Sequence, residues 1–149
     1  MTKEDGLKKY FSGVFAAEAL INKLDEDIAV LRSKQAAGSR IKLSHAGRGA
    51  VNYKRSEELS IAILELEAEA ARAKFDLLGL EREIKAMTDT LTDHTARAVM
   101  IWRYICRYKW KEIAKRAGMS EMQVIREHNV AMANMTAADD VNVVEWLRA

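Results

Sequence analysis

The chain has 149 residues, a formal charge of +2, no Pro, 7 Gly and a single Cys. A lone cysteine excludes a disulfide framework and suits a reducing compartment, and no apolar run approaches the roughly 18 residues of a membrane span. With Ala, Leu, Glu, Lys and Arg abundant and little to interrupt a helix, the expected fold is all-α, as one domain or a small domain with an extended arm. Charge is unevenly spread: residues 57–91 carry four basic and nine acidic side chains, and residues 92–136 carry eight basic and four acidic. That split describes an acidic rod and a basic head, and a basic head suits a polyanion.

At the N-terminus, the apolar run FSGVFAAEALI is cut by Glu18 and preceded by Glu4 and Asp5, which is not the pattern of a secretory signal. A cytoplasmic protein is expected. Val14, Ala17, Ile21, Leu24, Ile28, Leu31 and Gln35 then follow in steps of three and four, a heptad seam. A longer seam runs through Leu59, Ile63, Leu66, Ala70, Ala73, Leu77, Leu80, Ile84, Met87 and Leu91. An apolar residue every 3.5 positions stays on one side only if the helix winds about a partner. Ser56, followed by Glu57 and Glu58, predicts the start of this second helix.

Residues 36–55, between the seams, hold Gly, Ser and five basic residues, Arg40, Lys42, Arg48, Lys54 and Arg55, with no acid. The expected layout is an antiparallel helical hairpin over 1–91 with a loop at 36–55. The basic loop suits either phosphate contact or a solvated connection. Gly47 and Gly49 form no P-loop, lacking its Lys-Ser/Thr. The second seam is longer than the first, so its surplus requires cover. A homodimer through the heptad helices is expected, the alternative being that the surplus docks on the C-terminal head.

A third helix is predicted from Thr92, with Thr92 or Thr90 as N-cap and Asp93 in the first turn. Val99, Trp102 and Cys106 share its face, which places Cys106 in the core rather than as a reactive thiol. Arg97, Arg103 and Arg107 are expected at the rim.

The stretch WKEIAKRAGMSEMQV, residues 110–124, breaks the helix for only three residues. Trp110, Ile113, Ala114 and Ala117 lie on one face of a two-turn helix. Gly118 supplies a left-handed corner, Met119 plugs it, and Ser120 with Gln123 makes a capping box. Val124, His128, Ala131 and Met135 form the inner face of the next helix. Together these meet the requirements of a helix-turn-helix, with 120–135 as recognition helix.

The outward face of that helix carries Glu121, Met122, Ile125, Arg126 and Asn129. Arg126 suits guanine, Asn129 adenine and Glu121 cytosine, while Met122 and Ile125 suit thymine methyls. Arg107, Lys109, Lys111, Lys115, Arg116 and Ser120 suit phosphate. Beyond Met135, Thr136 with Asp139 predicts a cap, and Val141, Val144 and Leu147 a short final helix. An enzyme is not expected: His45, His94 and His128 lie on separate elements without metal-ligand spacing, and no nucleophile has an activating neighbour. No cofactor or metal is expected.

The segment RYICRYKWKEIAKRAGMSEMQVIREHNVAM, residues 103–132, resembles region 4 of the sigma-70 family. Most of the chain is similar to small phage and prophage regulators, RinA- and ArpU-like, that join a heptad-rich hairpin to such a head. The matching residues are Arg103-Tyr104, Trp110-x-x-Ile113-Ala114, Gly118-Met119-Ser120, and Val124 with His128 and Ala131-Met132. Glu127 departs from the pattern, standing where the family has an aliphatic residue. The resemblance implies a transcriptional regulator binding double-stranded DNA near a promoter in a bacterial host cell, with RNA polymerase as a second partner. Two alternatives stand beside it. One is a protein-only adaptor that uses Met122 and Ile125. The other is a DNA-packaging recognition subunit, whose usual order places the head first.

Overall fold

A computed structural model describes residues 2–44 and 49–138, with side chains over 2–38 and 54–136. The described residues form five helices: α1 (Lys3–Ser44), α2 (Gly49–Thr88), α3 (His94–Tyr104), α4 (Trp110–Ala117) and α5 (Glu121–Ala138). The fold is all-α, with α1 and α2 as a long packed pair. None of these helices is long and apolar enough to cross a membrane. The expected final helix through Val141, Val144 and Leu147 lies outside the described residues, as do Arg48 and residues 45–47 of the expected loop.

The long helices run further than their seams predict. α1 continues to Ser44 and α2 begins at Gly49, so most of the segment expected as a loop over 36–55 is helical. Nothing in 36–44 or 50–55 stops a helix: Ala36, Ala37, Arg40, Lys42, Lys54 and Arg55 are all helix formers, and Gly38 costs only about 1 kcal/mol. Ser56 is therefore not an N-cap. Its carbonyl accepts a hydrogen bond from Gln35 Nε2 at 3.3 Å.

The chain divides into two compact units, residues 17–76 and residues 1–16 with 77 onward. The first is the hairpin. Arg32 pairs with Glu67, Lys74 with Asp25 at 3.5 Å, and Gln35 Nε2 donates to Ser60 Oγ at 2.6 Å. As residue number rises on α1 it falls on α2, so the helices are antiparallel. Ile21, Leu24, Ile63 and Ala70 are buried along the seam. Gln35 is polar at a seam position, and its amide nitrogen is satisfied by Ser60 together with the Ser56 carbonyl. A polar group in such a seam tolerates few registers, because a slip leaves it unpaired.

The second unit corrects the expected boundary at residue 91. The first turns of α1 and the last turns of α2 belong with the head. Thr2 and Asp5 cap α1 reciprocally, with Asp5 N–H donating to Thr2 Oγ1 at 3.1 Å and Thr2 Oγ1 to Asp5 Oδ2 at 2.8 Å. The hydrogen bonds from Thr2 hold the Asp5 carboxyl below its ordinary value. Leu7, Phe11 and Val14 are fully buried, and Phe11 meets Tyr104 of α3 edge-on at 5.1 Å. Leu77, Ile84, Met87 and Leu91 are buried too. The surplus of the second seam is thus covered within the chain and leaves no vacancy for a second copy there.

α3 starts one residue later than expected. Asp93, not Thr92 or Thr90, is its N-cap, and its Oδ1 accepts from Thr95 N–H at 3.0 Å. A carboxylate beside the positive end of a helix is the stronger cap. Thr90 instead closes α2, donating to the Met87 carbonyl at 2.6 Å. α3 also ends early, at Tyr104, so Cys106 falls in the link to α4 and is exposed. Tyr104 takes the buried place expected for it.

Candidate nucleic-acid interface

α3, α4 and α5 pack around Val99, Ile113, Ala114 and Val124, with Trp102, Tyr108, Trp110, Ala117 and Met119 closing over them. The corner between α4 and α5 has the predicted chemistry. Gly118 sits at φ 67°, ψ 32° and donates to the Ala114 carbonyl, which Met119 N–H also reaches at 3.0 Å. A Cβ at Gly118 would meet nothing within 4 Å. The requirement for Gly is therefore set by the backbone conformation and not by crowding. Ser120 N–H donates to Gln123 Oε1 at 2.9 Å, and Gln123 N–H to Ser120 Oγ at 3.2 Å, completing the capping box. α4 and α5 are thus joined by a short capped corner with one left-handed glycine.

Val124, His128, Ala131 and Met135 all face inward and are buried. Glu121, Met122, Ile125, Arg126 and Asn129 are all exposed on α5. Met122 is 72% exposed and Ile125 37%, and Val130, not singled out in the sequence, adds a third exposed apolar group at 51%. Lys109, Lys111 and Lys115 are exposed on or just before α4. Arg116 is exposed and held lightly: its Nε donates to Glu112 at 3.1 Å and its guanidinium lies 4.4 Å from the Tyr108 ring centre. A surface pair one helical turn apart contributes only about 0.3–0.5 kcal/mol, so a phosphate can displace Glu112.

Arg107 is different. Its Nη1 donates to Glu81 Oε1 at 2.6 Å and to the Ile105 carbonyl at 3.1 Å, and the pair is only about one-fifth exposed. Its backbone is left-handed, at φ 59°. Arg107 thus pins the α3–α4 link to the end of α2, which removes it from the expected phosphate set. Ser120 is exposed, but its backbone N–H and hydroxyl oxygen are engaged in the cap.

Behind the outward face lies a polar chain that periodicity alone does not reveal. Tyr104 OH and His128 Nε2 are 2.6 Å apart, and His128 Nδ1 is 3.2 Å from Asn129 Oδ1. The amide oxygen can only accept, so Nδ1 carries the proton, and Tyr104 donates to Nε2. Burial pushes His128 down to about 4, against the Asn129 hydrogen bond, which raises it. Burial pushes Tyr104 up to about 12, against the charge of Arg103. Asn129 therefore lends its oxygen to the core. Pairing both its groups with adenine requires it to leave His128, while a single outward donation from its amino group does not.

Arg103, expected at the rim, is stacked between two rings, 4.6 Å from the Phe15 centre and 4.2 Å from that of Trp110. Its Nη1 donates to the Tyr108 carbonyl at 3.0 Å, and burial lowers its pKa. Arg97 meets His94 Nδ1 at 2.6 Å on the helix surface. Neither residue belongs to the outward face of α5. The aromatic run around Trp102, Tyr104, Tyr108 and Trp110 is the one sequence signal for the stacking, since guanidinium groups favour such faces. Among the described residues no three His, Cys, Asp or Glu side chains gather as a metal site would. No protein-family model, curated protein or solved structure matches the chain.

Proposed function

We propose that this chain is a sequence-reading DNA-binding regulator in which α5 enters the major groove and the α4 lysines hold the flanking phosphates. The observation that carries the reading is the capped α4–α5 corner. On it, Arg126 and Asn129 face outward with Met122 and Ile125, and Lys109, Lys111 and Lys115 are exposed nearby. Arginine and asparagine match guanine and adenine edges, and the apolar pair matches thymine methyls. The resemblance to sigma region 4 and to phage and prophage regulators supports the same reading and adds RNA polymerase as a second partner. On this reading the protein acts in the bacterial cytoplasm without a cofactor or a catalytic step.

One observation favours a second reading, a protein-only adaptor. Met122, Ile125 and Val130 are a considerable apolar exposure for a single helix, and such groups suit a protein partner.

The deciding experiment mixes the purified protein with random fragments of its source genome over a salt series and sequences what stays bound. Retention of one segment, with affinity falling steeply as salt rises, supports the regulator. Absence of retention, or equal salt-sensitive binding to every fragment, overturns sequence reading by the free protein.

A further inference from the structure

α2 carries a second heptad stripe on the side away from its seam. Ile61, Leu64, Ala68, Ala71 and Phe75 follow in steps of three and four, and all are exposed, Leu64 at 64% and Phe75 at 75%. At 100° per residue their mean direction lies about 160° from that of Ile63, Ala70 and the rest of the inner seam. Single exposed apolar residues are ordinary, but a stripe with coiled-coil spacing and a phenylalanine three-quarters exposed marks an interface.

We infer that this stripe is the contact between two copies of the chain, with the two α2 helices antiparallel about a two-fold axis between Ala68 and Ala71. The register comes from the residues. In an antiparallel pair each a position faces a d position, so Ala68 meets the partner's Ala71 and Leu64 meets the partner's Phe75. The small alanines at the axis let the helices approach closely, and a bulky pair closes each side.

The charges agree with the same axis. Glu65 and Arg72 flank the stripe on one edge and face each other across it. Glu67 and Lys74 do so on the other edge. The acidic end of each stripe meets the basic end of its copy, which makes the surface complementary to itself, as a two-fold contact must be, and flanking charges of this kind set helix orientation. Glu67 and Lys74 are already paired with Arg32 and Asp25 in the hairpin, so the orientation rests mainly on Glu65 and Arg72, both exposed. A parallel pair would face Phe75 with Phe75, would leave Glu65 beside Ser60 and would keep only Glu67 with Arg72, so it satisfies fewer of the flanking charges. This inference does not depend on DNA binding, and its failure would leave that reading untouched.

The test is sedimentation of the full-length chain over a wide concentration range, with helicity followed by circular dichroism. A reversible dimer is expected. Phe75→Glu and Leu64→Glu should each weaken it about tenfold or more with helicity unchanged, because both side chains are exposed within the single chain. Glu65→Arg and Arg72→Glu should each weaken it about threefold, and the double variant should recover. Orientation is read by cross-linking in a Cys106→Ser background. Chains carrying Glu65→Cys should cross-link to chains carrying Arg72→Cys and not to one another. A monomer at all concentrations, a dimer indifferent to both Phe75→Glu and Leu64→Glu, or cross-linking of Glu65→Cys chains to themselves would overturn the inference.

Discussion

Arg126 and Asn129 stand side by side on the same exposed face, yet substitution separates them. Arg126 touches nothing that the core needs, so Arg126→Ala should leave the melting temperature unchanged. It should weaken a specific DNA site by about 1–3 kcal/mol and relax the base preference at one position. Binding to a panel of single-base variants of the site checks this. Asn129→Ala also deprives a buried imidazole N–H of its acceptor, so it should lower stability as well as affinity. His128 itself predicts an acid limit. Its folded value of about 4 lies below the unfolded value of 6.5, so the unfolded chain binds the extra proton. The stability tied to the neutral ring is complete above about pH 6.5 and is lost as pH falls toward 4, by a total of about 3 kcal/mol. Thermal melts of wild type and His128→Gln across that window should converge as pH falls. Tyr104 acts at the other end: its value of about 12 exceeds the ordinary 10, so the stability it adds is lost as pH rises through that interval.

Two corners hold the helices of the head, and they use left-handed backbone differently. At the α4–α5 corner Gly118 is open to solvent space, so Gly118→Ala should cost only the backbone term of about 1 kcal/mol, and Gly118→Asn less. At the α3–α4 corner a non-glycine, Arg107, adopts the same region and is held there by Glu81. Arg107→Ala loses the ion pair and keeps the strain, whereas Arg107→Gly loses the pair and relieves the strain. The alanine variant should therefore melt below the glycine variant, by an amount equivalent to about 1 kcal/mol. On α4, Lys111 and Lys115 are one turn apart and exposed. Replacing either by Ala should reduce affinity evenly across DNA sequences and lower the slope of log affinity against log salt by about one, which a salt series on two unrelated fragments measures.

For the molecule as a whole, the organisation into hairpin and head is legible in the pattern of residues, but the division between them is not. The heptad seams, the Gly118 corner, the Ser120–Gln123 cap and the inward face of α5 are all set by residues within a turn or two of one another. Period and spacing reveal such features because a helix places neighbours at i+3 and i+4 on one side. Helix ends are less legible: with no Pro and many helix formers, 36–44 and 49–55 have no local reason to stop. An all-α chain, its two seams, its sharp corner and the face that α5 turns outward follow from local pattern alone. Packing in three dimensions is what covers the surplus of the second seam with the chain's own head and turns Arg107 to Glu81 instead of outward. It also decided that Arg103 is sandwiched by Phe15 and Trp110, and that Tyr104 reaches His128 from 24 residues away. These contacts join segments far apart along the chain, where a side chain's partner is chosen by packing and desolvation and leaves no period in its own neighbourhood.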